Sequence, residues 1–472
     1  MANVWYIGDA QERTLTFGGS TFFWNKWNGW SINESAFTSQ QLQELDADPG
    51  FLLGQTGPRT LPPWTADPVT GRESVYLAEI KKILDGAQVS RALAGDADIK
   101  KMALSPTYNA DLLSPAPTIT QGTAATSGLT KAISSSSPLL FWPGTITETS
   151  GSAVIPRGKS YDDGTRSASV ESCQVVFETD AAQFDFRVVA ATGLKWRLWA
   201  DGKANSASLA NLSNYTGAGA YINVNLGSAS VGKSRKITIE FENLSAPIQF
   251  QGLQIPPTAS LTVPRFIGPR VMIVGDSIGH GMGSGTLAEG YARGLGRIMG
   301  WLDVWHSFSS CSSSGLVKAA SANNGPYVKR LYHDILPNSP DLVIIQGSLN
   351  DTSYVDQNLI GPALVEYVTK LRSQLPNVVI IVTSPLYFAN PSVAINKVRD
   401  ELKIAAAALN VPFIDLQSAG TFTGTGKVGA TVGDGNADFY RGTDGTHPSK
   451  EGSWYIANRI AGAIANVLKI PL

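Results

Sequence analysis

Cysteine is nearly missing: Cys173 and Cys311 are the two in a chain of 472 residues. They cannot frame a disulfide scaffold and their spacing fits no zinc site. They read as two buried free thiols, with a single bridge between them as the alternative. Histidine is almost as scarce. His280, His306, His333 and His447 are the four present. They form no imidazole-based metal constellation, and no metal or other cofactor is expected. An excess of charge of one sign is also lacking, with a net charge of −1 and no basic run. That argues against nucleic acid as a partner. No stretch is long and apolar enough to span a membrane, so no transmembrane segment is expected. The opening MANVWYIGDAQERTLTF has neither the basic start nor the apolar run of a secretory signal, and no ordinary leader is expected.

The length that remains suits two or three domains. Residues 1–102 form a small mixed region. Trp24, Trp27 and Trp30, in a run with Phe22 and Phe23, read as a compact aromatic core, with a sugar-stacking surface as the alternative. The spacing predicts short helices over Ser39–Ala47 and Glu73–Leu84, the second with Leu77, Ile80 and Leu84 on one face. Residues 103–138 are rich in Ser, Thr, Ala, Gly and Pro, carry only Asp111 and Lys131 as charges, and read as a linker. Residues 139–265 alternate in the manner of strands. Ile237, Ile239 and Phe241 are interleaved with Thr238, Glu240 and Glu242, and Ile222, Val224 and Leu226 with Asn223 and Asn225. Such half-buried strands, with a turn at Asp201-Gly202 and no helical pattern, predict a β-sandwich of jelly-roll type.

Residues 266–472 switch to alternating strands and helices. Buried apolar strands are expected at Val271–Val274, Val304–Phe308, Leu342–Gln346, Val378–Thr383 and Phe413–Leu416. Helices are expected over Pro362–Gln374, Val393–Leu409 and from Gly452 to about Leu468. This is an α/β pattern with a doubly wound parallel sheet, whose site lies at the carboxyl ends of the strands.

The chemistry-bearing residues fall at those ends. Ser277 closes Gly275-Asp276-Ser277 after the first strand, which exposes its hydroxyl at the mouth of the sheet. A serine hydroxyl needs a base before it can attack. Asp444-Gly445-Thr446-His447-Pro448 supplies one just before the last helix, in a turn that lets Asp444 orient the imidazole of His447 towards Ser277. An acyl transfer also needs donors to the oxyanion. Ser314-Gly315 after the second strand offers a backbone N–H, and Asn350 after the third offers a side-chain amide.

These four segments, in this order, resemble the SGNH hydrolases, also called GDSL esterases. Carried over residue by residue, the resemblance makes Ser277 the nucleophile, His447 the base and Asp444 its orienter. Ser277, Gly315 and Asn350 would be the oxyanion donors. One position departs from the family's habit: Ser348 stands where glycine is usual, two residues before Asn350. Asp276 and Asp351 read as loop-holding carboxylates. His280 reads as a residue lining the pocket, and His306 and His333 as structural or surface residues.

The middle region, closing with Phe250-Gln-Gly-Leu-Gln-Ile-Pro, is similar to the jelly roll of two-domain carbohydrate esterases. Whether it props the enzyme or touches glycan stays open. The first hundred residues, through NVWYIGDAQERTLTF and NGWSINESAFTSQQLQELDADPGFL, resemble minor tail proteins of actinobacteriophages. Together these resemblances imply a serine esterase acting on O-acetyl or related esters of a host surface glycan or glycolipid. It would be carried on a phage tail among tail proteins, as a homo-oligomer anchored through residues 1–102. The alternatives are a tail adhesin that binds the glycan without turnover and a bacterial carbohydrate esterase with no phage origin.

Overall fold

In the computed structural model the described residues are 3–6, 12–17, 20–25, 31–33, 36–46 and 51–55, and then 112–467. Breaks in the second stretch fall at 144–146, 150–151, 155–171, 190–193, 212–218, 243–248, 265–266, 308–313, 319–325, 354–355, 389–390 and 418–420. Cys311, Trp27, Trp30 and the helix expected over Glu73–Leu84 lie outside the described residues.

Near the N-terminus, Asn3–Tyr6 pairs antiparallel with Ser31–Asn33 and with Phe51–Gln55, and Glu12–Phe17 forms a hairpin with Ser20–Asn25. The helix expected from Ser39 is present as Ser39–Asp46. It starts because Thr38 and Gln41 cap it reciprocally. The Gln41 N–H donates to Thr38 Oγ1 at 3.3 Å, and the Thr38 N–H to Gln41 Oε1 at 2.8 Å.

Two antiparallel sheets form a β-sandwich. One runs Lys203–Ala204, Lys195–Ala200, Arg235–Glu242, Ser172–Thr179, Leu261–Thr262. The other runs Thr118–Gly122, Ala220–Asn225, Gln183–Val189, Gln249–Ile255, Ser152–Val154, Thr147–Thr149. Their facing side chains, Phe177, Phe184, Phe186, Trp196, Phe241 and Phe250 among them, make one core. Cys173 is a free thiol buried in it.

Two expectations for this region change. The stretch 103–138 is not a linker from Leu112 onwards. Thr118–Gly122 pairs with Ala220–Asn225, and Lys131–Ser134 with Gln249–Ile255. Each of these short strands brings a single apolar residue to the core, Ile119 or Ile133, which is too little to show as periodicity among Ser and Thr. The strand Arg235–Glu242 is also not half-exposed: Glu240 and Glu242, on the face opposite Ile237, Ile239 and Phe241, are buried as well. The reason is that the catalytic domain covers that face.

Residues 271–467 hold a five-stranded parallel sheet in the order Val304–His306, Val271–Val274, Leu342–Gln346, Val379–Thr383, Phe413–Ile414. Helices Tyr291–Met299 and Lys450–Val467 pack on one face. Ile360–Gln374 and Val393–Ala408 pack on the other, with the helical stretch from Tyr327 to Asn338. The expected doubly wound sheet is therefore present. Its first strand enters between the second and third, which opens a crevice at their carboxyl ends. Among the described residues no helix is long and apolar enough to cross a membrane.

The two domains meet through buried charge. Glu240 of the sandwich accepts from Arg197 Nη2 at 2.8 Å, Trp199 Nε1 at 3.2 Å and Gln174 Nε2 at 3.1 Å. From the catalytic domain it accepts Arg297 Nη2 at 2.5 Å. Both guanidinium groups lie 4.7 Å from the Trp199 ring centre, one from each domain. Arg197 also pairs with Glu289 at 2.6 Å. Burial pushes the Glu240 carboxyl up, but Arg297, Arg197 and the donated hydrogen bonds outweigh it and bring it down to about 2. Glu240 is therefore charged, and every charge it meets is answered.

Candidate active site

Ser277 is the first residue of the short helix Ser277–His280, directly after the strand Val271–Val274. The side chain of Asp276 caps that helix by accepting the Ile278 N–H at 3.0 Å. At this position the N–H of Ser277 has no intrahelical carbonyl to meet.

An imidazole arrives from the turn before the last helix. His447 Nε2 lies 2.8 Å from Ser277 Oγ, and His447 Nδ1 lies 2.6 Å from Asp444 Oδ2. The other carboxylate oxygen of Asp444 accepts the N–H groups of Thr446 at 2.8 Å and His447 at 3.0 Å, so the turn and the imidazole share one anchor. Glycine is required beneath it. A Cβ at Gly283, whose φ is 86°, would sit 2.4 Å from the Cβ of His447.

Burial pushes the Asp444 carboxyl up, but donation from Thr446 and His447 together outweighs it and brings it down to about 2. Asp444 thus stays charged across the working range of any esterase. The expected outcome is that kcat/KM falls as pH is lowered from about 8 to about 5, since the base must be unprotonated. A profile measured on a chromogenic acetate that stayed flat over that interval would remove His447 as base.

Asp276 and Asp351 hold loops, as expected. Asp276 accepts Gln346 Nε2 at 2.9 Å, Ser348 Oγ at 2.9 Å and the Leu349 N–H at 3.3 Å, besides Ile278. It thereby ties the nucleophile turn to the Asn350 turn. Burial pushes its carboxyl upward against these donors. Asp351 accepts the N–H groups of Leu316, Val317 and Lys318 at 2.8, 3.2 and 3.1 Å. Burial raises it to about 6.

That cradle changes the reading of Gly315. Its N–H was expected to face the oxyanion. It donates instead to the Lys318 carbonyl at 2.9 Å, closing the turn that Asp351 holds. Glycine is needed there because a Cβ would lie 2.3 Å from Asp351 Oδ1. Asn350 spends one amide hydrogen on the Ser314 carbonyl at 2.9 Å, and a primary amide has a second to offer.

The rings of His280 and His306 lie tilted at 40° to each other, with centres 6.0 Å apart. His306 is tucked against Gly275 and Gly279, and burial first, then its charged neighbours, push its pKa well down. His333 lies in the helical stretch after Tyr327. Among the described residues no group of His, Cys, Asp and Glu could hold a metal ion.

One participant was not anticipated. Arg330 is fully buried and donates to the Gly275 carbonyl and to Ser314 Oγ, bracing the nucleophile turn against the segment that leads into Gly315. Its signal was faint. Arg330 and Asp334 fall on the same helix face as Tyr327, Leu331 and Ile335, so two charges share an apolar stripe.

Residues 273–455 match the GDSL-like lipase/acylhydrolase family. Among solved structures the chain is similar to the salicylyl-acyltransferase SsfX3 from a tetracycline biosynthetic pathway, at 16% identity and a TM-score of 0.49, covering 72% of this chain and 100% of that one. It is similar to a family two carbohydrate esterase from Clostridium thermocellum in complex with cellohexaose, at 15% identity and a TM-score of 0.48, over 70% and 99% of the two chains. It is also similar to a family two carbohydrate esterase from Cellvibrio japonicus, at 12% identity and a TM-score of 0.49, over 75% and 99%. No curated protein matches the chain in sequence.

Proposed function

We propose that the chain, whose residues 273–455 match the GDSL-like lipase/acylhydrolase family, is a serine esterase that removes short acyl groups, acetyl first, from a host surface glycan, carried on a phage tail. The observation behind the catalytic part is the hydrogen-bonded line Ser277 Oγ, His447 Nε2, His447 Nδ1, Asp444 Oδ2. Ser277 Oγ attacks the ester carbonyl while His447 Nε2 takes its proton. The N–H of Ser277 and the second amide hydrogen of Asn350 receive the oxyanion. The intermediate collapses as His447 returns the proton to the departing sugar hydroxyl. Water, deprotonated by His447, then cleaves the acyl-enzyme, releasing the acid and restoring Ser277.

Asn350→Ala is expected to reduce kcat by an amount equivalent to roughly 2–4 kcal/mol of transition-state stabilisation. Unchanged kcat would move the oxyanion role elsewhere.

A short acyl group fits an open site: the Asp444 side chain is 48% exposed and that of His447 19%, with no separate apolar lid segment in the sequence. A series of nitrophenyl esters tests this. The acetate is expected to have the highest kcat/KM. Each buried methylene is worth about 0.8 kcal/mol, so a preference for chains of about eight carbons or more would point to a lipid ester. Acetate released from host envelope polysaccharide tests the glycan part. Turnover of the nitrophenyl ester without such release would leave the esterase and remove that substrate.

Carriage on a tail rests on the resemblance of residues 1–102 to minor tail proteins, and so does homo-oligomerisation to match the tail's symmetry. Deleting residues 1–101, which stops short of Leu112 and its bridge to Ala204 of the sandwich, is expected to leave active esterase that no longer enters virions. Purified particles that lacked the intact protein would overturn the location.

A further inference from the structure

One buried hydroxyl lies where the turns of the site meet. Ser348 is inaccessible to solvent. Its Oγ is 2.9 Å from Asp276 Oδ2 and 3.0 Å from the Ser314 carbonyl, and it accepts the Asn350 N–H at 3.0 Å. The same Ser314 carbonyl accepts Asn350 Nδ2 at 2.9 Å. Asn350 is thus gripped twice, by its backbone N–H and by its side-chain amide, and both grips pass through Ser348 or its partner. On the far side, Asp276 is the residue before the nucleophile and the cap of its helix.

We infer that Ser348 is a positioning residue for the oxyanion amide: its hydroxyl fixes Asn350 relative to Ser277 by bridging Asp276, Ser314 and the Asn350 backbone. A glycine, the residue usual at this position in the family this domain resembles, can make none of these bonds. A donor aimed at developing charge acts only if it is held in place before the reaction, so loosening it shows in the chemical step rather than in substrate affinity. The inference rests on the oxyanion role proposed for Asn350.

The test is a double-mutant cycle on nitrophenyl acetate. Ser348→Ala is expected to lower kcat about tenfold with KM changed less than about twofold. In an Asn350→Ala background the same change is expected to lower kcat by less than about twofold, because the group it positions is gone. A merely structural role would carry the full loss into both backgrounds. Ser348→Gly serves as a second variant, with circular dichroism confirming that each protein is folded. Wild-type kcat in both single variants, a loss confined to KM, or additivity in the cycle would each overturn the inference and leave the Asn350 role standing. An Asn350→Ala enzyme with wild-type kcat would remove both. Failure of both Ser348 variants to fold would also overturn it, by making the residue a folding determinant.

Discussion

Ser277→Ala is expected to lower kcat on the order of 10⁴–10⁶-fold while leaving the protein folded. The change removes one oxygen from a half-buried residue whose backbone is held by neighbours. Asp276 caps the helix, and Arg330 holds the carbonyl of Gly275. Little stability therefore depends on Oγ itself. The chemistry depends on it entirely, since no acyl-enzyme forms without it. His447→Ala is expected to be about as damaging, and the double variant no worse than either single one, because nucleophile and base act as a unit. Asp444→Asn is expected to be milder than either. The checks are single-turnover kinetics on nitrophenyl acetate, labelling by a serine-directed phosphonate, and circular dichroism. Activity of Ser277→Ala within roughly tenfold of wild type, or phosphonate on another serine, would sink the assignment.

The second large effect concerns stability. Glu240→Ala is expected to cost about 3–5 kcal/mol, because it leaves Arg197, which is fully buried, and Arg297, whose side chain is 16% exposed, to share Glu289 as their acidic partner. Glu240→Gln keeps hydrogen-bonding capacity and loses the charge, so it falls between. Replacing Glu240 and Glu289 together with both arginines by apolar residues of similar volume is expected to recover most of the loss. The pH dependence has a definite sign. The Glu240 pKa is depressed on folding from 4.5 to about 2. Its contribution is complete above the unfolded value and is lost as pH falls through the folded one. Denaturant unfolding monitored by tryptophan fluorescence measures both. A Glu240→Ala protein within about 0.5 kcal/mol of wild type would refute the interface account.

Much of the catalytic domain was legible in the sequence, and for a physical reason. Strands buried on both faces must be apolar throughout, so Val271–Val274 and Leu342–Gln346 stand out as runs and were placed to the residue. Ser277, in the turn after the first of those runs, and the Asp444–His447 pair, just before the last helix, stood out by residue type and place, and the structure brings the three within hydrogen-bond distance. What failed to show depended on partners distant in sequence. Glu240 looks like a solvent-facing residue until Arg297, 57 positions later, covers it. Arg330 looks like a surface charge beside Lys329 until the helix turns it towards Gly275. Gly315 carries the glycine of its motif, yet the pressure of Asp351 on its Cα explains that residue better than an outward N–H does. Ile119 and Ile133, single apolar residues among Ser and Thr, were too sparse to announce strands.

The boundary between the sandwich and the catalytic domain also bears on how such a chain can be rebuilt. Beyond Glu240 and its arginines, the contact includes main-chain partners: Glu242 accepts the Ala288 N–H at 3.1 Å, and Arg293 donates to the Ser172 carbonyl at 2.7 Å. Lys450, three residues after His447, reaches the Ala207 carbonyl of the sandwich at 3.1 Å. Side-chain pairs can be matched by a foreign sequence, but bonds to the main chain demand the same backbone path on both sides. The sandwich is therefore a poor candidate for cassette exchange. Recombination that preserved function would inherit residues 112–467 as a block, and shuffling to change what the protein is attached to would break the chain before Leu112, where no such bond has yet formed among the described residues.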